Sequence, residues 1–168
     1  MEAQDQRQGS IPRSPIEPRG FFTGVKIRPI VVGAVVDYVT TYIAVTVYVV
    51  LYYVKESFQD GGIPREAIQK AFEEAMSSPE GLQAFLILGA LCTALGGYVA
   101  ARIAKVEQIK HGALVGAVSL IIGLLQTTMA GAASPAPNDF ELLGYIVAIP
   151  AGALGGYLAA AGAGLGKI

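Results

Sequence analysis

The 168-residue chain is 53% hydrophobic and only 15% charged, with a formal net charge of −1. Soluble domains usually carry about a quarter charged residues, so this composition argues against a soluble domain. The near-neutral charge argues against nucleic acid as a partner, since nucleic-acid-binding domains are usually basic. A single cysteine, Cys92, excludes an intramolecular disulfide and a cysteine-rich metal site.

In chain order, four long apolar runs cover residues 30–54, 82–104, 112–133 and 142–164. Each is long enough to cross the hydrocarbon core of a bilayer as a helix, which takes about 20 residues. Only Asp37 and Arg102 place a formal charge inside them. A soluble helical bundle would need a polar face on each helix. The runs therefore predict an all-α integral membrane protein, a four-helix bundle with the lipid bilayer as its surroundings.

Basic residues around the four runs predict the orientation, because lysine and arginine accumulate on the cytoplasmic side. The first 26 residues, predicted to form a disordered tail, are rich in arginine and carry no apolar stretch typical of a signal peptide. The short connection between the second and third runs contains Lys105 and Lys110, whereas residues 134–141 contain no basic residue. Both termini are therefore predicted to be cytoplasmic, in a multi-pass protein of the plasma (inner) membrane of a prokaryote.

Between the first two runs, residues 64–77 predict a helix on the external side. Pro64 suits its first turn. The apolar residues recur at helical spacing and form one stripe, consisting of Ile68, Ala71, Phe72, Ala75 and Met76. Two roles are open for this helix: capping the bundle or lying on the outer leaflet, or docking a partner.

The phrase ALGGY occurs twice, at residues 94–98 and 153–157, and VGAV occurs at residues 32–35 and 115–118. These matches predict a tandem duplication of a two-span hairpin, with copies at residues 27–104 and 105–168 and the external helix inserted in the first. Because each copy has two spans, both copies would face the same way, as a parallel repeat. The second and fourth spans are expected to pack against each other at the centre.

Small residues recur every four positions in the second, third and fourth spans, the pattern of a glycine zipper. Small side chains let membrane helices approach closely and gain van der Waals contact. The first span has few of them and is predicted to be peripheral and lipid-facing. The expected helix-packing residues are Gly89, Gly97, Ala101, Gly116, Gly123, Gly152, Gly156 and Ala160.

Asp37 is the strongest candidate for chemistry, since an ionisable group inside a span is costly and usually functional. Three interpretations are open. Asp37 pairs with Arg102, or it stays protonated and bonded to Thr40, Thr41 or a backbone carbonyl, or it serves the passage of protons or cations. His111 is the only histidine and is expected at the inner end of the third span rather than on a metal.

Motifs of nucleophilic, zinc or nucleotide chemistry are absent from the sequence, so the chain is predicted to be no enzyme and to use no metal or cofactor. The segment LGGYVAARIAK followed by HGALVGAVSLIIGLL resembles small uncharacterised prokaryotic families of four-span membrane proteins, in which a GGY-A-AR segment precedes an HG-L-G segment. The resemblance covers about 40 residues. It implies a fold type and a bacterial or archaeal plasma membrane, and no activity.

Two functions follow as hypotheses. The first is an assembly or accessory protein that works through glycine-zipper helix packing, as a homo-oligomer or with a membrane-protein partner. The alternative is a small oligomeric transporter or channel with Asp37 in its pathway. Small-residue faces left free after the chain has packed would favour assembly. A polar cavity beside the first span that contains Asp37 would favour transport.

Overall fold

The computed structural model describes residues 20, 23–53, 65–129 and 139–165. Within these ranges it contains five helices and no strand: α1 (Ile27–Tyr53), α2 (Arg65–Ser77), α3 (Pro79–Ala104), α4 (Gln108–Met129) and α5 (Asp139–Leu165). All but α2 are long and apolar enough to cross a membrane, which agrees with the four predicted runs. The chain is therefore an all-α, multi-pass membrane protein. Most of the predicted tail and of the loop at 134–141 lie outside the described residues.

The four spanning helices begin three or four residues before the apolar runs. Ser78 caps α3 and accepts a hydrogen bond from the backbone N–H of Gly81 at 3.1 Å, with Pro79 in the first turn. At the other end of α3, Lys105 adopts a left-handed conformation with φ of 59° and bonds back to the carbonyl of Ala101. The α2–α3 and α3–α4 connections are thereby fixed by local hydrogen bonds.

The centre of the bundle is α3, which contacts α1, α4 and α5. Its contact with α5 is made backbone to backbone. A methyl group on Gly97 would overlap the carbonyl group of Gly152, and one on Gly155 would overlap the carbonyl of Ala94. The expected approach of the second and fourth spans is thus present, and it relies on glycines because any side chain would hold the two backbones apart.

Glycines also form the contact between α4 and α5. A methyl group on Gly116 would overlap Ala148, and one on Gly156 would lie 2.6 Å from the carbonyl oxygen of Gln108. Gly123 has a different neighbour, the ring of Tyr145, whose Cε1 would lie 3.0 Å from an added methyl group. Ala101 is fully buried, whereas Ala160 is half-buried beside the fully buried Ala159.

Gly89 does not pack as expected. No atom lies within 4 Å of a methyl group added there, and the residue lines open space. Four further glycines, which were not among the expected packing residues, meet the backbone or side chains of a neighbouring helix. These are Gly33, Gly96, Gly112 and Gly155.

The two copies of ALGGY are used differently. In the first copy Gly96 faces α1 and Gly97 faces α5, whereas in the second Gly155 faces α3 and Gly156 faces α4. In each copy one glycine meets the helix of its own hairpin and the other meets the opposite hairpin, but the order is exchanged. The duplication therefore stays a prediction from sequence, and the helix contacts do not follow it position by position.

Helix α2 lies against the C-terminal half of α1. Ala71 and Ala75 are buried with Val49, while the Phe72 ring stacks on Phe85 of α3 at 5.7 Å between ring centroids. Phe72 and Met76, expected in the apolar stripe, remain partly exposed. The hydroxyls of Tyr53 and Ser78 lie 2.9 Å apart, so the end of α1 is joined to the start of α3.

We expect Gly97→Ala to lower the free energy of unfolding by roughly 1–3 kcal/mol, the usual cost of overpacking, because the methyl group would separate α3 from α5. Gly89→Ala, two turns earlier on the same helix, is the matched control and should leave stability unchanged or slightly higher. Thermal unfolding in one detergent measures both. Equal stability of the two variants would contradict the backbone contact described above.

Candidate functional site: a buried carboxylate at a three-helix junction

The α1 helix presents one narrow face to the bundle, and this face carries Gly33 and Asp37 four residues apart. A methyl group on Gly33 would lie 2.6 Å from the carbonyl oxygen of Gly96 on α3 and 2.8 Å from Val115 on α4. A methyl group added to Gly96 would in turn lie 2.8 Å from Cβ of Asp37. The two glycines therefore bring the Asp37 backbone directly against α3.

The Asp37 carboxylate is 5% exposed and contacts hydroxyl groups from three helices. Thr93 of α3 donates at 3.2 Å to both oxygens, Thr41 of α1 donates to Oδ1 at 3.3 Å, and Ser119 of α4 donates to Oδ2. Thr40, which was expected to bond the acid, donates to the backbone carbonyls of Val36 at 2.7 Å and of Asp37 at 3.1 Å and not to the carboxylate. The carboxylate thus has hydrogen-bond partners but only neutral ones.

The predicted pairing of Asp37 with Arg102 does not form. The Arg102 side chain is exposed, and its guanidinium carbon lies 6.0 Å from the ring centroid of Tyr98. Within the described residues the one ion pair joins Lys110 to Glu107 at 3.0 Å. The physical reason is helix geometry: the α1 face that holds Asp37 meets α3 at Thr93 and Gly96, and Arg102 points away from that face.

An ionised carboxylate without a counter-charge is unstable at such a site. Moving an ion of this size out of water costs several kcal/mol even after the protein relaxes, and neutral hydroxyl donors offset only part of that cost. Asp37 is therefore stable in two states: neutral with a bound proton, or ionised with a cation beside it. The choice between these states is the chemistry that the site offers.

Asp37 also lines a cavity of about 200 Å³, which we name the carboxylate cavity. It lies between α1, α3 and α4, and its polar lining consists of Asp37, Tyr38, Thr41, Thr93, Ser119 and Gln126. This space is large enough for several water molecules, each of which occupies about 30 Å³ in the liquid. The sequence predicted the acid but not the cavity, which Gly89 leaves open because no atom of a neighbouring helix lies within 4 Å of a methyl group added there.

A second buried polar group, His111, connects the ends of three helices. It is fully buried; its Nε2 accepts a hydrogen bond from the backbone N–H of Lys26 at 2.9 Å, and its Nδ1 lies 3.0 Å from the carbonyl oxygen of Glu107. This network assigns the proton to Nδ1. The Lys26 ammonium reaches the last carbonyl of α3, at Ala104, at 3.4 Å. We call this group of contacts the His111 junction.

Comparison with protein-family models, with curated proteins and with solved structures finds no match to this chain. The fold and the site nevertheless define a class: a multi-pass helical membrane protein with a buried, uncompensated carboxylate at a junction of its first, third and fourth helices. Function is inferred below from that chemistry.

We expect His111→Phe to destabilise the protein by roughly 0.5–1.5 kcal/mol, because the hydrogen bond to the backbone N–H of Lys26 would be lost while the ring volume is kept. Ile109→Phe, at an exposed position of the same helix, is the control and should have little effect. Unfolding in detergent with a far-ultraviolet circular dichroism readout measures both. If His111→Phe unfolds like the unsubstituted protein, the hydrogen bond to Lys26 contributes nothing to stability.

Proposed function

We propose that the protein is a small cation transporter or channel in which Asp37 is the group that binds the cation, a proton included. The observation that supports this proposal is the carboxylate cavity, with a nearly fully buried acid that only neutral groups contact. An acid with a purely structural role would be expected to have a fixed counter-charge beside it. An exchangeable cation requires the position next to the carboxylate to be free. The protein acts without enzymatic chemistry and without a cofactor in this proposal.

The glycine contacts support the same choice. The bare backbones of α3, α4 and α5 are largely occupied by one another, at Gly97 with Gly152 and at Gly116 with Ala148. The surface of small residues that is left for a partner is therefore smaller than the sequence pattern predicted. The first span is peripheral, with only 11% of its apolar window buried, and its one packed face contributes the acid and the glycine that packs it against α3.

An accessory role in assembly is the second candidate, and one observation favours it. Gly162 on α5 is exposed, and nothing lies within 4 Å of a methyl group added there, so a bare stretch of backbone faces outwards. A second copy of the chain or another membrane helix could pack at this position. Such packing is compatible with transport by an oligomer.

The proposed topology has both termini in the cytoplasm of a prokaryotic cell and α2 on the outer side of the plasma membrane. The proposed tandem-hairpin origin agrees with this topology, since two-span units inserted in succession face the same way. The His111 junction would then lie at the cytoplasmic end of the bundle, and the amphipathic α2 at the outer interface.

To test the cation role, the purified protein is reconstituted in liposomes and proton and sodium fluxes are followed under an imposed potential. We expect Asp37→Asn to abolish the flux and to change stability by less than about 1 kcal/mol, because an amide can still bond the surrounding hydroxyls. Asp139→Asn makes the same chemical change at the exposed start of α5 and should conduct normally. Flux that survives Asp37→Asn, or an unsubstituted protein that neither conducts protons or sodium nor binds a cation at Asp37, would refute the proposal.

The topology is tested with single cysteines in a Cys92→Ala background. Glu74→Cys on α2 should react with a membrane-impermeant thiol reagent applied to intact cells, and Lys105→Cys should react only after the cells are opened. Both side chains are exposed, so access is limited by the membrane alone. The opposite labelling pattern would show that the chain is inserted the other way round.

A further inference from the structure

Two further spaces adjoin the carboxylate cavity and share lining residues with it. On one side it shares Ala34, Tyr38, Ile122 and Gln126 with a space of about 470 Å³ between α1 and α4, which we name the lateral crevice. On the other side it shares Gly89, Thr93 and Ser119 with a space of about 280 Å³ among α3, α4 and α5, which we name the end vestibule. Asp37 therefore lies between two spaces that approach it from different directions.

The lateral crevice opens on the surface of α1 that faces lipid. Its rim consists of Val31, Val35 and Tyr38, whose side chains are 55%, 56% and 54% exposed. Apolar residues at a membrane span with such exposure are in contact with acyl chains. A solute that enters by the crevice must therefore first dissolve in the bilayer. Hydrated inorganic ions do not do so, because their transfer into hydrocarbon costs far too much.

The polar groups of the crevice suit an apolar solute that carries positive charge. Among the described residues, Asp37 is the only charged one that lines the carboxylate cavity and the lateral crevice. Tyr38 stands at their shared boundary, where a ring face can attract a cation. The Gln126 amide lines both spaces and makes no hydrogen bond within the described part of the chain. The other lining residues are the hydroxyl-bearing Thr41, Thr93 and Ser119 around Asp37, and aliphatic residues and glycines.

A third space of about 600 Å³ continues from Tyr38 and Gln126 towards α2 and has the opposite electrostatic character. Arg65, at the start of α2, lines it. A positive side chain repels a cation, so the path for a cation turns at Tyr38 towards Asp37. Gly89 then leaves the way open from Asp37 to the end vestibule, since a methyl group at that position would touch nothing within 4 Å.

From this arrangement we propose that the site takes lipophilic organic cations, which enter from the bilayer through the lateral crevice and pair with Asp37. The inference rests on the proposed function and names its substrate class. The end vestibule provides the second opening, bounded by Phe85, Phe140 and Tyr145 at the far end of the bundle from the His111 junction. A cation held by Asp37 can leave through it without returning to the lipid.

The test is binding of tetraphenylphosphonium to the purified, full-length protein by equilibrium dialysis. Tetraphenylborate, which has the same shape and a negative charge, is the matched probe. We expect saturable binding of the cation and none of the anion. Asp37→Asn should weaken cation binding about 100-fold or more, because it removes one member of a desolvated charge pair.

A second variant tests the lateral crevice without changing the acid. Ala34→Phe should fill the crevice where it meets the carboxylate cavity and block binding while leaving Asp37 in place. Val47→Phe adds the same ring at a lipid-facing position of α1 outside the cavities and is its control. Helical content measured by circular dichroism ensures that each variant is folded.

The outcomes separate the two proposals. Binding that is equal in the unsubstituted protein and Asp37→Asn, or equal for both probes, overturns the substrate assignment. Absence of cation binding together with an Asp37-dependent proton or sodium flux also overturns it and leaves the proposed function standing. Native mass spectrometry that finds a phospholipid retained by the unsubstituted protein and lost in Ala34→Phe, without cation binding, assigns the crevice to lipid. Absence of both binding and flux refutes both proposals.

Discussion

The close approach of α1 to α3 at Gly33 and Gly96 is the contact on which the rest of the site depends. It places two backbones against each other where any side chain would intrude, and the acid one turn further along α1 follows it inwards. Without this contact Asp37 would face lipid, and the hydroxyls of Thr93 and Ser119 would have no shared partner. Packing through glycine thus does more than hold the bundle together: it decides which side chain of α1 is buried.

The same bundle is packed unevenly. The His111 junction and the glycine contacts of α4 with α5 fill the space between helices. Between α1 and α4, in contrast, the carboxylate cavity and the lateral crevice leave open space beside Asp37. Asp37 lies at the boundary between the closed and the open part. A titratable group at such a boundary is shielded from bulk water, so its negative charge requires a bound proton or cation. It is also accessible enough for that proton or cation to exchange.

Much of the fold could be predicted from sequence, because membrane spans depend on length and apolarity alone. The importance of Asp37 was equally visible as a charge in an apolar run. Its partners were not, since helical periodicity assigns faces within a helix but does not say which faces meet. The sequence placed Arg102 on the same side of the membrane as Asp37. In the structure its side chain lies beside the Tyr98 ring and points away from the α1 face that holds the acid. Gly89 failed for a related reason: it fits the every-four pattern of α3, but the helix surface opposite it is absent. Gly33 carried a usable signal, as an isolated glycine one turn before the acid in a helix of β-branched residues.

The distribution of Asp37's partners along the chain has a consequence for biogenesis. Thr41 is made in the same helix, but Thr93 and Ser119 are synthesised some 56 and 82 residues after the acid. While the nascent chain is inserted, α1 must therefore enter the membrane before its acid has the hydroxyls that finally surround it. An aspartate at the centre of a span opposes insertion by about 2.5–3.5 kcal/mol on translocon-based scales. The rest of α1 is rich in valine, isoleucine and tyrosine, and its length and apolarity offset that penalty until α3 and α4 arrive. The strongly apolar character of α1 is therefore required for its insertion before α3 and α4 are made, as well as for the finished bundle.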